Sequence, residues 1–168
     1  MKKFLQFAGL IGAVLGLVAF ILYMATHAIV NTGAINGWYG GTAVIFGKGP
    51  ASVAGINGTF EGNPAWVALI AWIFVLLGVL CLLVLFVGSL LKVKALAKFS
   101  NLLTFISGGL LVAAGILSFF SIPAFAAAND WGNTNGVALG VGWVFGAILS
   151  IVAGGIAMLP PILGMVKK

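Results

Sequence analysis

The side chains able to do acid–base, nucleophilic or metal chemistry are few and scattered. There is one histidine (His27), one cysteine (Cys81) and two carboxylates (Glu61 and Asp130), and His27 has no Cys or carboxylate neighbour with which to hold a metal. A thiol oxidoreductase needs two cysteines, and an intramembrane protease needs a serine–histidine pair or two aspartates at depth; neither set is present. Ser89, Ser100, Ser107, Ser118, Ser121 and Ser150 have no base beside them, and serines so placed commonly bond to the carbonyl one turn back. Gly40-Gly41 lacks the lysine and the strand-to-helix setting of a phosphate loop. No catalytic, cofactor-binding or metal-ligating residue is expected, and the chain reads as non-enzymatic.

Composition says what these residues are embedded in. Of 168 residues, 62% are apolar and 6% charged, against about a quarter charged in an ordinary soluble domain. Ten charged side chains cannot cover the exterior of a soluble fold, so lipid is the expected main solvent. The net charge of +6 comes from eight lysines and no arginine, which leaves no guanidinium to grip phosphates or base edges. Nucleic acid is therefore not an expected partner. A lone Cys81 within an apolar run allows no disulfide within the chain and reads as a buried small hydrophobe.

About 20 apolar residues of helix cross a bilayer. Four stretches suffice, at about 4–29, 65–91, 102–120 and 137–166, none holding Asp, Glu, Lys or Arg within it. Met1-Lys2-Lys3 ahead of the first, with Thr26-His27-Ala28 as a small-residue site, also fits a signal peptide; the length of the apolar core favours a retained span. The inner segment 92–101 reads as helical extension plus a tight turn, with Ser100 a candidate cap. Lys2, Lys3, Lys92, Lys94, Lys98, Lys167 and Lys168 fall on one side of an up-down arrangement and Lys48 on the other. The positive-inside rule then puts both termini in the cytoplasm. The expected fold is an all-α membrane protein, a four-helix bundle with a small antiparallel β-sheet in the first outer loop, forming one membrane domain.

The outer loops are 30–64 and 121–136. In the first, Thr42–Phe46 and Ser52–Ile56 are β-prone, and Asn57-Gly58 suits a type I′ hairpin turn; Asn57-Gly58-Thr59 also fits a glycosylation acceptor, but the turn is the preferred reading. In the second, Pro123 is expected to stop a helix and Asn129–Asn133 to turn the chain. Pro160-Pro161 should kink or end the last span. Small residues let membrane helices approach closely, and Gly12, Gly16, Gly109, Gly142, Gly146 and Gly154 are the expected packing points, tying spans one, three and four; span two should show the most surface to lipid. Trp38, Tyr39, Trp66, Trp131 and Trp143 fit an aromatic belt at headgroup level, with Trp72 deeper.

In layout the chain resembles the claudins and related four-span proteins: cytoplasmic ends, a long first outer loop with β character and a Trp after span one, a short basic inner turn and a shorter second outer loop. In that family Gly-Leu-Trp and two cysteines mark the first loop. Here Trp38 is followed by Tyr39-Gly40-Gly41, without Gly-Leu-Trp or cysteines, so the resemblance implies architecture and not the family's barrier-forming or pore-lining roles. The expected function is that of a bacterial cell-membrane accessory, scaffold or self-associating subunit. Its partners would be the bilayer and a protein or a second copy, met through Trp38, Tyr39, Phe46, Phe60 and Trp131. The alternative is a passive channel or carrier for a small neutral solute, lined by Thr104, Ser107, Ser118 and Ser150.

Overall fold

A computed structural model describes residues 2–33 and 36–166. Met1, Lys167 and Lys168 lie outside the described residues, as do the side chains of Lys2 and Lys3, so only the lysines between these ends can be placed. The elements in order are α1 (Lys2–Ala25), β1 (His27–Asn31), β2 (Gly37–Gly40), α2 (Gly41–Phe46), β3 (Lys48–Val53), β4 (Ile56–Glu61), α3 (Trp66–Leu90), α4 (Lys94–Ser118), α5 (Ser121–Ala128), β5 (Val137–Leu139) and α6 (Val141–Val166). Four helices, α1, α3, α4 and α6, are long and apolar enough to cross a membrane. They form a ring in which α1 packs on α3 and α6, and α4 packs on α3 and α6, with little contact across the diagonal. All five strands gather at one end of the ring, and the Leu91–Val93 turn lies at the other.

Glycine sets how closely the ring closes. A Cβ on Gly154 would come 2.3 Å from the Gly108 carbonyl oxygen on α4, so the two backbones touch there. Gly12 faces Ala153 O and Ala157 on α6, Gly16 faces Val79 and Leu111, Gly142 faces Thr26, and Gly146 faces Tyr23. Five of the six glycines named from the sequence thus lie in close contact with another segment of the chain. Gly109 does not: nothing lies within 4 Å of its would-be Cβ, and Gly108 makes the contact instead. One residue is about 100° of helix rotation, enough to turn a small face from a neighbour to the outside. Span two is, with the third, the least buried of the four, as expected, though Gly78 meets Leu111 and Gly88 meets Leu96 on α4. Its outward row is Leu77, Leu80, Val84, Val87 and Leu91, all about half exposed or more.

Several boundaries move for identifiable reasons. The first span ends at Ala25, not Ile29, as Thr26 caps it by bonding Leu22 O through both its amide and its hydroxyl. His27–Asn31 then serves as a strand, and Val137–Leu139, expected within the last span, is a strand as well. The third long helix starts at Lys94, so Ser100 lies inside it and is no cap. Between α3 and α4, Lys92 adopts φ 54°, with Lys92 N bonded to Ser89 O and Val93 N to Gly88 O. This is the left-handed helix stop usually given to glycine. The last helix runs through Pro160 and Pro161 to Val166 and is not ended by them. Pro123 sits in the first turn of α5, where a missing N–H costs nothing.

The sheet is fully antiparallel in the order β4-β3-β2-β1-β5. It is not confined to the first loop: β5, from the second, pairs with β1 through Ile29↔Leu139 and Asn31↔Val137. The hairpin turn is at Ala54-Gly55, both with positive φ (54° and 79°), and not at Asn57-Gly58, which lies inside β4 opposite Ser52 and Ala51. That register carries Lys48 to Glu61, where the two ends pair at 2.6 Å. The β-prone run at 42–46 is helical. Burial of Ala43, Val44 and Ile45 outweighs their strand preference, and Gly47 at φ 75° ends the turn by bonding Ala43 O. Gly40-Gly41 therefore does join a strand to a helix. Yet the Gly41 amide is spent on Thr26 O, and a Cβ there would fall on the Tyr23 carbonyl.

Candidate interaction surface

Alternation along the strands sorts the platform into two faces. Ile29, Tyr39, Ala51, Gly58 and Leu139 share one face by direct cross-strand pairing, with Phe60 two places on from Gly58. Val30, Trp38, Ser52, Asn57 and Ala138 share the other. On the first face Tyr39 meets Phe60, Phe125 and Trp131 at ring distances of 5.2–5.4 Å. Phe125 also contacts Phe60 and Trp131, so four rings from both loops form one cluster. Phe125 is fully buried while the other three are partly open. Burial pushes the Tyr39 hydroxyl above its ordinary pKa.

Hydrogen bonds lock the two loops beneath these rings. The Asn63 amide donates to Asn129 Oδ1 (2.9 Å), and Asn129 Nδ2 donates back to Asn63 O (3.0 Å) and to Phe125 O (3.0 Å). Asn63 Nδ2 donates to Ala128 O at 2.8 Å. Beside the cluster are two shallow clefts that share Tyr39 and Val53. One, of about 280 Å³, runs between the strands and Trp131 and Asn133; the other, of about 220 Å³, lies along β3 and β4 with Ile56 and Thr59 in its wall. Ile56 at the hairpin tip is 77% exposed. Strand β4 is one of the sheet's two edges and pairs with β3, which leaves alternate backbone groups along it open to another strand.

Of the expected contact residues, Tyr39, Phe60 and Trp131 come together. Trp38 does not join them; it lies on the opposite face, stacked on His27 at 4.0 Å and 16°. Phe46 does not either, since the helical turn of α2 carries it to Trp72 on α3, edge-on at 5.2 Å. Phe125 is hidden in the sequence because Pro123 marks its segment as a helix stop, although Phe125 and Asn129 are one helical turn apart. Val53 and Ile56 belong to the β-prone run Ser52–Ile56, and the turn at Ala54-Gly55 pairs them across the hairpin tip instead of leaving them in one strand.

Trp143 is no belt residue. It is buried, with its ring 4.7 Å from Tyr23 and Nε1 donating to Ser118 O at 3.1 Å. Tyr23 Oη is 2.8 Å from Ser118 Oγ and 3.5 Å from Ser150 Oγ. Ser118 has one proton and a 2.8 Å carbonyl, Ala114 O, to take it; Tyr23 can then donate to Ser118, which links α1, α4 and α6 at the sheet end of the bundle. The four polar residues considered as a lining fall in separate places. Ser118 and Ser150 belong to this node, Ser107 bonds back to Leu103 O, and Thr104 borders a cavity at the opposite end. Trp66 is 66% exposed, as a belt residue would be, and Trp72 is half-buried with its indole N–H unpartnered. Among the described residues no three of His, Cys, Asp and Glu gather as a metal site. No protein-family model matches the chain, and no curated protein matches its sequence.

Proposed function

We propose that this chain is a non-enzymatic, multi-pass protein of a bacterial cell membrane that works by association, as an accessory, scaffold or self-associating subunit. In this reading the sheet faces outward, and the Leu91–Val93 turn and both termini are cytoplasmic, as the lysine distribution favours. Four apolar helices with a small sheet at one end fit the likeness in layout to claudin-type proteins, without their loop motifs. One observation carries the functional reading: a platform cross-braced by four rings and the Asn63–Asn129 bonds presents an open strand edge, two clefts and a bare apolar tip at Val53 and Ile56. A rigid surface loses little entropy on docking, and an unpaired edge with apolar side chains beside it suits an added strand.

A photo-crosslinking residue at Ile56, compared with one at Leu77 on the outward row of α3, tests this in native membranes. Adducts to a protein or a second copy should form from Ile56, and the solvent-facing V53S/I56S variant should lose that partner in mild detergent. Only lone monomer from both positions, with a monomer in detergent, would overturn the proposal.

A further inference from the structure

We infer that the end of the bundle holding the Leu91–Val93 turn binds an anionic glycerophospholipid in a groove between α3 and α4. The inference rests on the chain being in a membrane, but not on its acting by association. The groove has a volume of about 330 Å³, with Leu85, Gly88, Val93 and Leu96 in its floor and walls and Lys92 and Lys94 at its rim. Gly88 in its wall lets Leu96 approach the α3 backbone: a Cβ at Gly88 would sit 2.3 Å from Leu96 Cδ1. Its size is at the lower end of small-molecule sites, which suits one headgroup and the first methylenes behind it.

Charge selects the occupant. The chain's two acidic side chains, Glu61 and Asp130, both lie at the sheet end, and Glu61 is paired with Lys48. Among the described residues Lys92 and Lys94 thus have no carboxylate to neutralise them, and Lys98, a turn further on, lies over the Phe99 ring. Two unpaired ammonium groups above an apolar floor complement a phosphate joined to acyl chains. A soluble anion would leave the floor wet, and a zwitterionic lipid would bring its own cation to the rim. Val84, Val87 and Leu91, exposed beside the groove on α3, provide the apolar track for the chains. Serines Ser89 and Ser100 border both the groove and an inter-helix cavity of about 180 Å³ that also touches Asn101 and Thr104, so polar atoms adjoin the headgroup position.

The test is native mass spectrometry of the delipidated full chain offered equal phosphatidylglycerol and phosphatidylcholine of matched acyl chains. Preferential phosphatidylglycerol adducts are expected. A juxtamembrane lysine contributes about a fivefold attraction to anionic lipid, so K92Q/K94Q should lower the preference roughly thirtyfold. The K48Q/K98Q variant removes the same charge but keeps both groove lysines, and should lose no more than about the fivefold of one juxtamembrane lysine. Equal adducts of the two lipids, equal loss in the two double variants, or complete displacement by inorganic phosphate would each overturn the site. The association proposal would survive any of these outcomes, since its surface is at the other end.

Discussion

The closest approach in the bundle offers the sharpest test of the packing. Gly154→Ala places a methyl group 2.3 Å from Gly108 O, 2.8 Å from Val112 Cγ2 and 2.9 Å from Val112 N. Two of these atoms are backbone and cannot rotate away, so α4 and α6 must part by about an ångström to restore ordinary contact. That movement loosens neighbouring close points, including Gly115 against Ala147 O, where a Cβ would also be only 2.5 Å away. Overpacking of this kind costs about 1–3 kcal/mol. The adjacent Gly155→Ala is the control, because nothing lies within 4 Å of its Cβ, and the higher helix propensity of Ala is worth up to about 1 kcal/mol. That propensity gain is common to both variants, so they should differ by the overpacking cost alone, about 1–3 kcal/mol, with G154A the weaker. Reversible unfolding in mixed micelles, followed by the fluorescence of the five tryptophans, measures this directly. A G154A protein within 0.5 kcal/mol of G155A would refute backbone contact between these helices.

Ala54 holds a left-handed φ of 54° in the hairpin turn, which costs a non-glycine residue about 1–2 kcal/mol; A54N should raise hairpin stability by about 1 kcal/mol, and slower amide exchange in β3 and β4 is the readout. Asn129→Ala removes two of the three bonds that tie Asn63 to the second loop and leaves Asn63 Nδ2 on Ala128 O. At about 1–2 kcal/mol for the pair, it should speed exchange of the Asn63 amide while leaving the middle of α3 unchanged, and unaltered protection at Asn63 would contradict the brace. The Lys48 ammonium, by hydrogen bond and charge, holds the Glu61 carboxyl below its ordinary pKa. Its support of the strand ends is therefore present above the ordinary carboxylate pKa and fades as pH falls through the lowered value. A carbon-13 titration of Glu61 should show the low midpoint in the wild type and a return to the ordinary value in K48Q.

Hydropathy over about 20 residues needs no partner to be read, and so α3 lies within a residue of its expected limits and four apolar helices are legible from composition alone. The small-residue spacing of α1 and α6 likewise marked five of the glycines that touch a neighbour. Local signals failed where non-local pairing outweighed them. The chain at 28–30 and 137–139 is as apolar as the spans it adjoins, and hydrogen bonding between β1 and β5, more than a hundred residues apart, makes both into strands. Thr42–Phe46 is β-prone by type, yet burial against α1 and α3 coils it. Asn57-Gly58 is a better turn dipeptide than Ala54-Gly55, but only the observed register brings Phe60 to Tyr39 and Glu61 to Lys48. Sequence by itself determined how many helices could cross a bilayer, and through its lysines which ends belong together. Tertiary structure decided which aromatic rings meet and which residues stay bare, because burial of a ring or a strand edge depends on segments that are distant in the chain and adjacent only once it has folded.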